Sequence, residues 1–231
     1  GAGFDYHGDP LTILKGRLIG VGLFLVYNFS ARVNPSLALV VLVLLLGLLP
    51  WLLQRSLCFK LANSSYRGLR FRFAGGVRGA YRVFLLWPAL GYATLGLLIP
   101  LMHQRIKAWQ HGNSLFGTTP FRFDAGPGGF YALYVKLALV LAGLLALVLV
   151  AGGGLDLLAL LDTAYLSKEQ RNALLGMVLL ALLAFYLLAM LFLGPWFAAR
   201  MQNLVWNGTA LGPHAFTSRV RARDLLAIQL T

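Results

Sequence analysis

The chain has 231 residues, 59% of them apolar and 12% charged, with a formal net charge of +13 and a mean hydropathy of +0.75. That balance excludes an ordinary soluble domain and predicts an integral membrane protein with concentrated cationic regions. One cysteine, Cys58, excludes an internal disulfide and, lying beside a basic segment, suits a reducing compartment.

In chain order, the first ten residues place Phe4, Tyr6 and Gly8 at alternate positions. Leu11 to Phe29 is the first candidate span, with Lys15 and Arg17 in its opening turns, where long side chains snorkel to head groups. Ser36 to Leu53 follows as a second span. Pro50 then opens a basic module, residues 50–79, with Trp51 and Arg55 at its head and Arg70 and Arg72 alternating with Phe71 and Phe73 at its tail. Tyr81 to Pro100 is apolar but broken by Trp87-Pro88, Gly91 and Gly96, since proline removes a helical hydrogen bond and glycine permits a bend. It predicts a re-entrant helix pair, shielded by protein, with a kinked single span as the alternative. A second module, residues 100–129, carries Arg105 and Arg122. Two further spans, Tyr131 to Ala151 and Ala173 to Gly194, precede a third module, residues 195–223, headed by Trp196 and Arg200.

The modules share offsets. Counted from Pro50, Pro100 and Pro195, an arginine falls at +5 (Arg55, Arg105, Arg200) and a phenylalanine at +21 (Phe71, Phe121, Phe216). Asn falls at +13 or +12 (Asn63, Asn113, Asn207) and Gly at +17 or +18 (Gly68, Gly117, Gly212). Phe4, Tyr6 and Gly8 have the spacing of Phe71, Phe73 and Gly75, so residues 1–10 read as a fourth, partial copy. This predicts a membrane array of one repeated unit: an apolar helix, an interfacial helix end marked by Pro-Trp and Arg whose helical residues continue to a C-cap or turn near the Asn, and a short half-buried strand. The expected fold is an all-α polytopic membrane protein with a short cytoplasmic strand per unit and about four spans plus the broken segment. Because the chain starts within the tail of a unit and stops where another apolar segment is due, it reads as the middle of a longer protein. A gene product starting near Gly1 and ending near Thr231 would refute this.

Charge predicts the sidedness. Placing every module on one face collects 17 of the 20 Lys and Arg residues with Asp5, Asp9, Asp124 and Asp224. The other face keeps Arg32, Lys168 and Arg171 against Asp156, Asp162 and Glu169, so the balance is +13 against zero. Basic loops are retained in the cytoplasm, which makes the modules cytoplasmic. Trp51 and Trp196 then sit at head-group depth, and Arg55, Arg105, Arg200, Arg70, Arg72 and Arg122 are candidate contacts for anionic lipid.

Phe84-Leu-Leu-Trp-Pro88, Thr94-Leu-Gly-Leu-Leu-Ile-Pro100, Arg105, Asn113, Phe116-Gly117 and Phe121-Arg-Phe-Asp124 together resemble the YjgN-like proteins of bacterial inner membranes. The likeness covers most of the chain. It implies a multispanning inner-membrane protein without an assigned activity, longer than this chain, and supplies no catalytic residues. Pro100-Leu101 departs from the family's usual Pro-Trp.

Catalytic patterns are sparse. No phosphate-binding Gly-rich loop ending in Lys-Ser/Thr, paired carboxylates or His-Glu-x-x-His occurs. His7, His103, His111 and His214 all fall in modules, which argues against haem ligation at mid-membrane. His103 and His111 are eight apart, off register on a helix, with no acid or cysteine nearby, so neither a metal nor another cofactor is expected. The Arg-Phe alternation would bury its rings and leave no stacking platform for nucleic acid. Ala138, Ala142 and Ala146 give one helix a small face, suited to internal packing or to a partner helix.

Ser36 to Leu53, Tyr131 to Ala151 and Ala173 to Gly194 carry no ionisable group at depth, as a transport route needs. The leading expectation is therefore a non-catalytic accessory or scaffold subunit beside other membrane proteins, gripping anionic lipid. A transporter built on Trp87, Pro88, Gly91, Tyr92 and Thr94 is the alternative, since discontinuous helices often mark sites. A lipid-acting enzyme ranks third.

Overall fold

A computed structural model describes residues 4–151 and 167–230. The chain divides into two compact units, the first running to Pro127 and taking in Asn207–Phe216, the second running from Gly128 to Trp206 and resuming at Thr217. It is mostly helical. Among the described residues, four helices are long and apolar enough to cross a membrane, at Pro10–Val33, Pro35–Ala62, Pro127–Leu147 and Leu179–Asn207. They mark a multi-pass membrane protein.

In the first unit, helix α1 (Pro10–Val33) starts on an Asp9 cap, whose carboxylate accepts from the Leu11 and Thr12 amides at 3.2 Å each. Asn34 ends α1 and caps α2 (Pro35–Ala62), its side-chain oxygen accepting from Ser36 N at 2.7 Å. Both helices take proline in their first turn, where the missing N–H costs nothing. Helix α2 runs through Pro50 and ends against Asn63 as its C-cap, at the asparagine where the sequence expects the helical residues to give way to a turn. It continues twelve residues to Ala62 with Pro50 fully buried. Pro195 lies likewise inside the long helix of the second unit. A proline removes one hydrogen bond, and the packing around a buried ring offsets that single loss.

The strands form one antiparallel sheet in the order β1 (Phe4–Tyr6), β2 (Ser64–Tyr66), β3 (Leu69–Phe73), β4 (Ser114–Phe116), β5 (Thr119–Phe123), β6 (Thr209–Leu211) and β7 (His214–Ala215). The fold is mostly helical, and each of the three full modules carries a hairpin of two strands, the hairpins joining edge to edge. Tight turns close them. Arg67 and Gly68 both have positive φ, at 51° and 78°, and Gly117 and Gly212 open the other two turns at 58° and 56°. These are the primed turns that match strand twist.

The joints between hairpins share one register. Phe71 pairs with Phe116, and Phe121 with Leu211, in each case the residue 21 beyond one proline against the residue 16 beyond the next. Beyond each strand a further bond closes the joint, from His7 N to Asn63 O (2.7 Å), Ala74 N to Asn113 O (2.8 Å) and Asp124 N to Gly208 O (2.7 Å).

Between β3 and β4 the chain forms a helical hairpin. Helix α3 (Val77–Tyr81), a π-helical stretch (Arg82–Leu86) and α4 (Trp87–Ala93) run outward, and α5 (Ile99–Gly112) returns. The Trp87 amide bonds five residues back, to Arg82 O. This wider turn accommodates the Pro88 ring one residue later, which an α-helical turn would drive against a carbonyl. The reversal is a Schellman cap: Gly96 N reaches Gly91 O at 2.9 Å, Leu95 N reaches Tyr92 O at 3.0 Å, and Leu95 takes the left-handed φ of 50°. Because β3 and β4 are hydrogen-bonded neighbours, this segment leaves the sheet and returns to it.

In the second unit, helix α6 (Pro127–Ala151) packs against α7 (Lys168–Asn207) through Tyr134 on Phe197, ring centres 5.1 Å apart. A short helix, α8 (Ala222–Leu230), closes the described chain. Asp156 and Asp162, assigned by charge to the far face, lie outside the described residues.

Candidate functional site

The sheet separates its side chains by chemistry. Arg70, Arg72 and Arg122 are exposed, while Phe73 is buried and Phe71, Phe121 and Phe123 half-buried on the opposite face. Period-two alternation requires this once one face is covered. The covered face carries an aromatic row, Phe71 on Phe116 at 4.9 Å, Phe71 on Phe121 at 6.3 Å and Phe121 on Phe216 at 5.9 Å. Phe73 also meets Trp109 of α5 edge-on at 4.9 Å. Arg122 is partly neutralised by Asp124 at 2.6 Å; Arg70 and Arg72 join no ion pair among the described residues.

The helix-end arginines stand on tryptophans. The Arg55 guanidinium lies 5.7 Å from the Trp51 ring centre, and Arg105 lies 5.6 Å from Trp87. Module two lacks the Pro-Trp tryptophan, having Leu101, and the neighbouring helix supplies Trp87 instead. Arg200 and Trp196 line a cavity of about 240 Å³ with Lys136.

The broken-helix residues each take a place in the hairpin. Trp87 serves Arg105, and Pro88 sits at the π-helical stretch. Gly91 is buried against Ile99 and Met102. The Thr94 hydroxyl donates to carbonyls of its own helix, Leu90 at 2.9 Å and Gly91 at 3.1 Å, and accepts from Leu98 N. Tyr92 points outward, 79% exposed, beside Leu95 at 96% and Leu97 at 75%.

A second set of polar groups is structural and was not singled out from the sequence. Gln54 and Gln104, both buried, donate through Nε2 to Gly75 O and Ala125 O at 3.1 Å each. Each ties the residue at +4 to the carbonyl at +25. In module three the +4 residue is Ala199, and Asn203 takes over the role from +8: its Nδ2 donates to Val220 O at 2.9 Å while its Oδ1 accepts from Val220 N at 2.8 Å. The shared Gln offset was present in the sequence, though masked by its loss in the third copy.

His103, Lys107 and His111 form a half-buried stripe one turn apart along α5, outside the spans. His111 Nδ1 lies 3.4 Å from Thr209 Oγ1 and its ring faces Phe123. Burial, and then the Lys107 charge, push both histidines down to about 4. Among the described residues no group of three or more His, Cys, Asp or Glu is placed to hold a metal. The depressed values make the folded state prefer neutral rings. That stability is complete above the free-histidine pKa of 6.5 and is lost as pH falls toward 4. Allowing for solvent screening of partly exposed rings, we expect about 1–2 kcal/mol lost between pH 7.5 and 5. Thermal unfolding of the detergent-solubilised protein at the two pH values checks it, and the His103→Gln/His111→Gln variant should remove most of the difference. Equal midpoints for the parent protein at both pH values would rule it out.

The family described as "Bacterial protein of unknown function (DUF898)" matches residues 1–231. The chain belongs to this family. The YjgN-like proteins that the sequence resembles are this same family. No curated protein and no solved structure matches the chain. As a DUF898 member it brings no inherited site assignment, so its functional reading rests on its own residues.

Proposed function

We propose that the chain is a non-catalytic membrane scaffold, an accessory or assembly subunit built from one repeated unit. Its spans pack beside other membrane proteins, and its basic modules hold the anionic cytoplasmic leaflet of the bacterial inner membrane. The observation that carries this reading is the sheet's division of arginines from phenylalanines, which suits a surface lying flat against head groups. Two others support it. The spans are almost uncovered within the chain, and Ala138, Ala142 and Ala146 form an exposed small-residue stripe where a second helix can approach closely. The 77–112 hairpin dips into the same leaflet, with Tyr92, Leu95 and Leu97 as its apolar tip.

The test is crosslinking in native membranes followed by purification and mass determination. A stoichiometric assembly with other membrane proteins is expected, and substituting Ala142 by Leu should release it. Saturable solute movement by the isolated protein in liposomes, abolished by changes at Tyr92 or Thr94, would overturn the scaffold reading in favour of transport.

A further inference from the structure

Helices α1 and α2 enclose a part-open cleft of about 750 Å³, lined from Tyr6 to Leu23 on one side and from Leu52 to Lys60 on the other. Three cations, Arg17, Arg55 and Lys60, line it, and no carboxylate does. Among the described residues none of the three belongs to an ion pair; those are Arg122 with Asp124 and Arg223 with Asp224. The cleft therefore gathers positive charge that the protein itself does not neutralise.

The charge has a fixed level along the helices. Arg17 lies seven residues after the start of α1, and Arg55 seven before the end of α2. In an antiparallel pair at about 1.5 Å per residue, both stand roughly 10 Å above the sheet-side ends. Lys60 lies nearer the sheet, while Ile19, Leu23, Leu52 and Leu53 give the cleft apolar walls. Polar anchor below and apolar walls beside and above is the profile of a lipid rather than of a free anion.

The cleft is also kept open by composition. Gly16 and Gly20, one turn apart on α1, both line it, and a Cβ added to either would meet nothing within 4 Å. Mid-helix glycine costs roughly 1 kcal/mol relative to alanine, and no close contact among the described residues accounts for these two. Room left at that cost suits an occupant. Arg55 is held over Trp51 and so is oriented before anything binds. The α6–α7 cavity has a similar set, Lys136, Trp196 and Arg200, in about 240 Å³, too small for a head group with its chains.

We propose that this cleft binds one anionic diacyl glycerophospholipid, its phosphate between Arg17, Arg55 and Lys60 and an acyl chain along the Gly16–Gly20 face of α1. The inference rests on the reading of the sheet side as the head-group side, and the test separates the two. The whole chain in detergent is titrated with phosphatidylglycerol, phosphatidylcholine of the same chains, and glycerol 3-phosphate, with bound molecules counted by native mass spectrometry. In parallel it is reconstituted into mixed vesicles, and the anionic enrichment of the lipid around it is measured.

One phosphatidylglycerol should be retained, with phosphatidylcholine and glycerol 3-phosphate bound far more weakly. Arg17→Gln with Arg55→Gln should weaken retention about thirty-fold, from two lost phosphate contacts. Gly20→Leu, which fills the cleft, should abolish it with the melting temperature not lowered and the general anionic enrichment unchanged. Equal retention by Gly20→Leu, or equal binding of glycerol 3-phosphate, would overturn the cleft proposal alone. Loss of anionic enrichment in the parent protein would overturn the head-group reading together with it.

Discussion

Replacing Gln104 by alanine is expected to lower the unfolding free energy by about 2–4 kcal/mol, the largest effect of any single polar substitution here. Three losses combine. The Nε2 bond to Ala125 O at 3.1 Å disappears, the carbonyl at the end of β5 is left without that donor, and a buried volume empties. Gln104→Leu separates them, since it keeps most of the volume and loses only the bond; it should cost less than alanine but still measurably. Gln54→Ala should act in the same way through Gly75 O. Gln54 Nε2 also lies 3.2 Å from Cys58 Sγ, so that variant should in addition speed labelling of the half-buried thiol in the folded protein. Melting followed by Cys58 labelling reads both effects. If Gln104→Ala melts with the parent, the amide clamp contributes nothing and the sheet is held to its helices by apolar contacts alone.

Gly208→Asn is expected to cost about 1–3 kcal/mol, as overpacking does when the opposing atom is not free to move. A Cβ at Gly208 would lie 2.5 Å from Ala125 Cβ and 2.9 Å from Ala125 N, at the joint where Asp124 N bonds Gly208 O. The other two joints explain why asparagine is the informative choice. There the same positions hold Asn63 with Gly8 and Asn113 with Gly75, so each joint has one glycine, on the donor strand's side in the first two and on the other side in the third. Ala125→Gly in the Gly208→Asn background recreates the arrangement of the first two joints and should recover most of the loss. A double variant no more stable than the single one would mean that the Ala125 methyl is not the obstruction.

The long helices were legible because hydropathy accumulates over some twenty residues, and no local detail can reverse a sum of that length. Their ends were legible from the asparagines: the chain stays helical for about three turns beyond Pro50 and Pro195 and stops at Asn63 and Asn207, because tertiary burial outweighs one missing hydrogen bond at each proline. The leading strands of the hairpins, such as Ser64–Tyr66 and Thr209–Leu211, escaped notice. Three residues are too few to display a period, and their strand character comes from partners distant in sequence. At the site, the helix-end arginines could be found by offset. Their tryptophan partners could not all be: Trp87 reaches Arg105 only through the fold-back at Leu95 and Gly96. Arg17 and Lys60 looked like ordinary flanking charges until the two helices brought them to one cleft.

The ladder shared by successive hairpins imposes a parity rule on insertion. Any excursion between two hydrogen-bonded strands must traverse the bilayer an even number of times or not at all, whatever the excursion's length or hydrophobicity. Lengthening the 77–112 loop until it could span would not invert the later modules, unless the joint from Phe71 to Phe116 tore first. Which compartment faces the sheet is then one collective decision for the described array, resistant to moving a few charges from loop to loop.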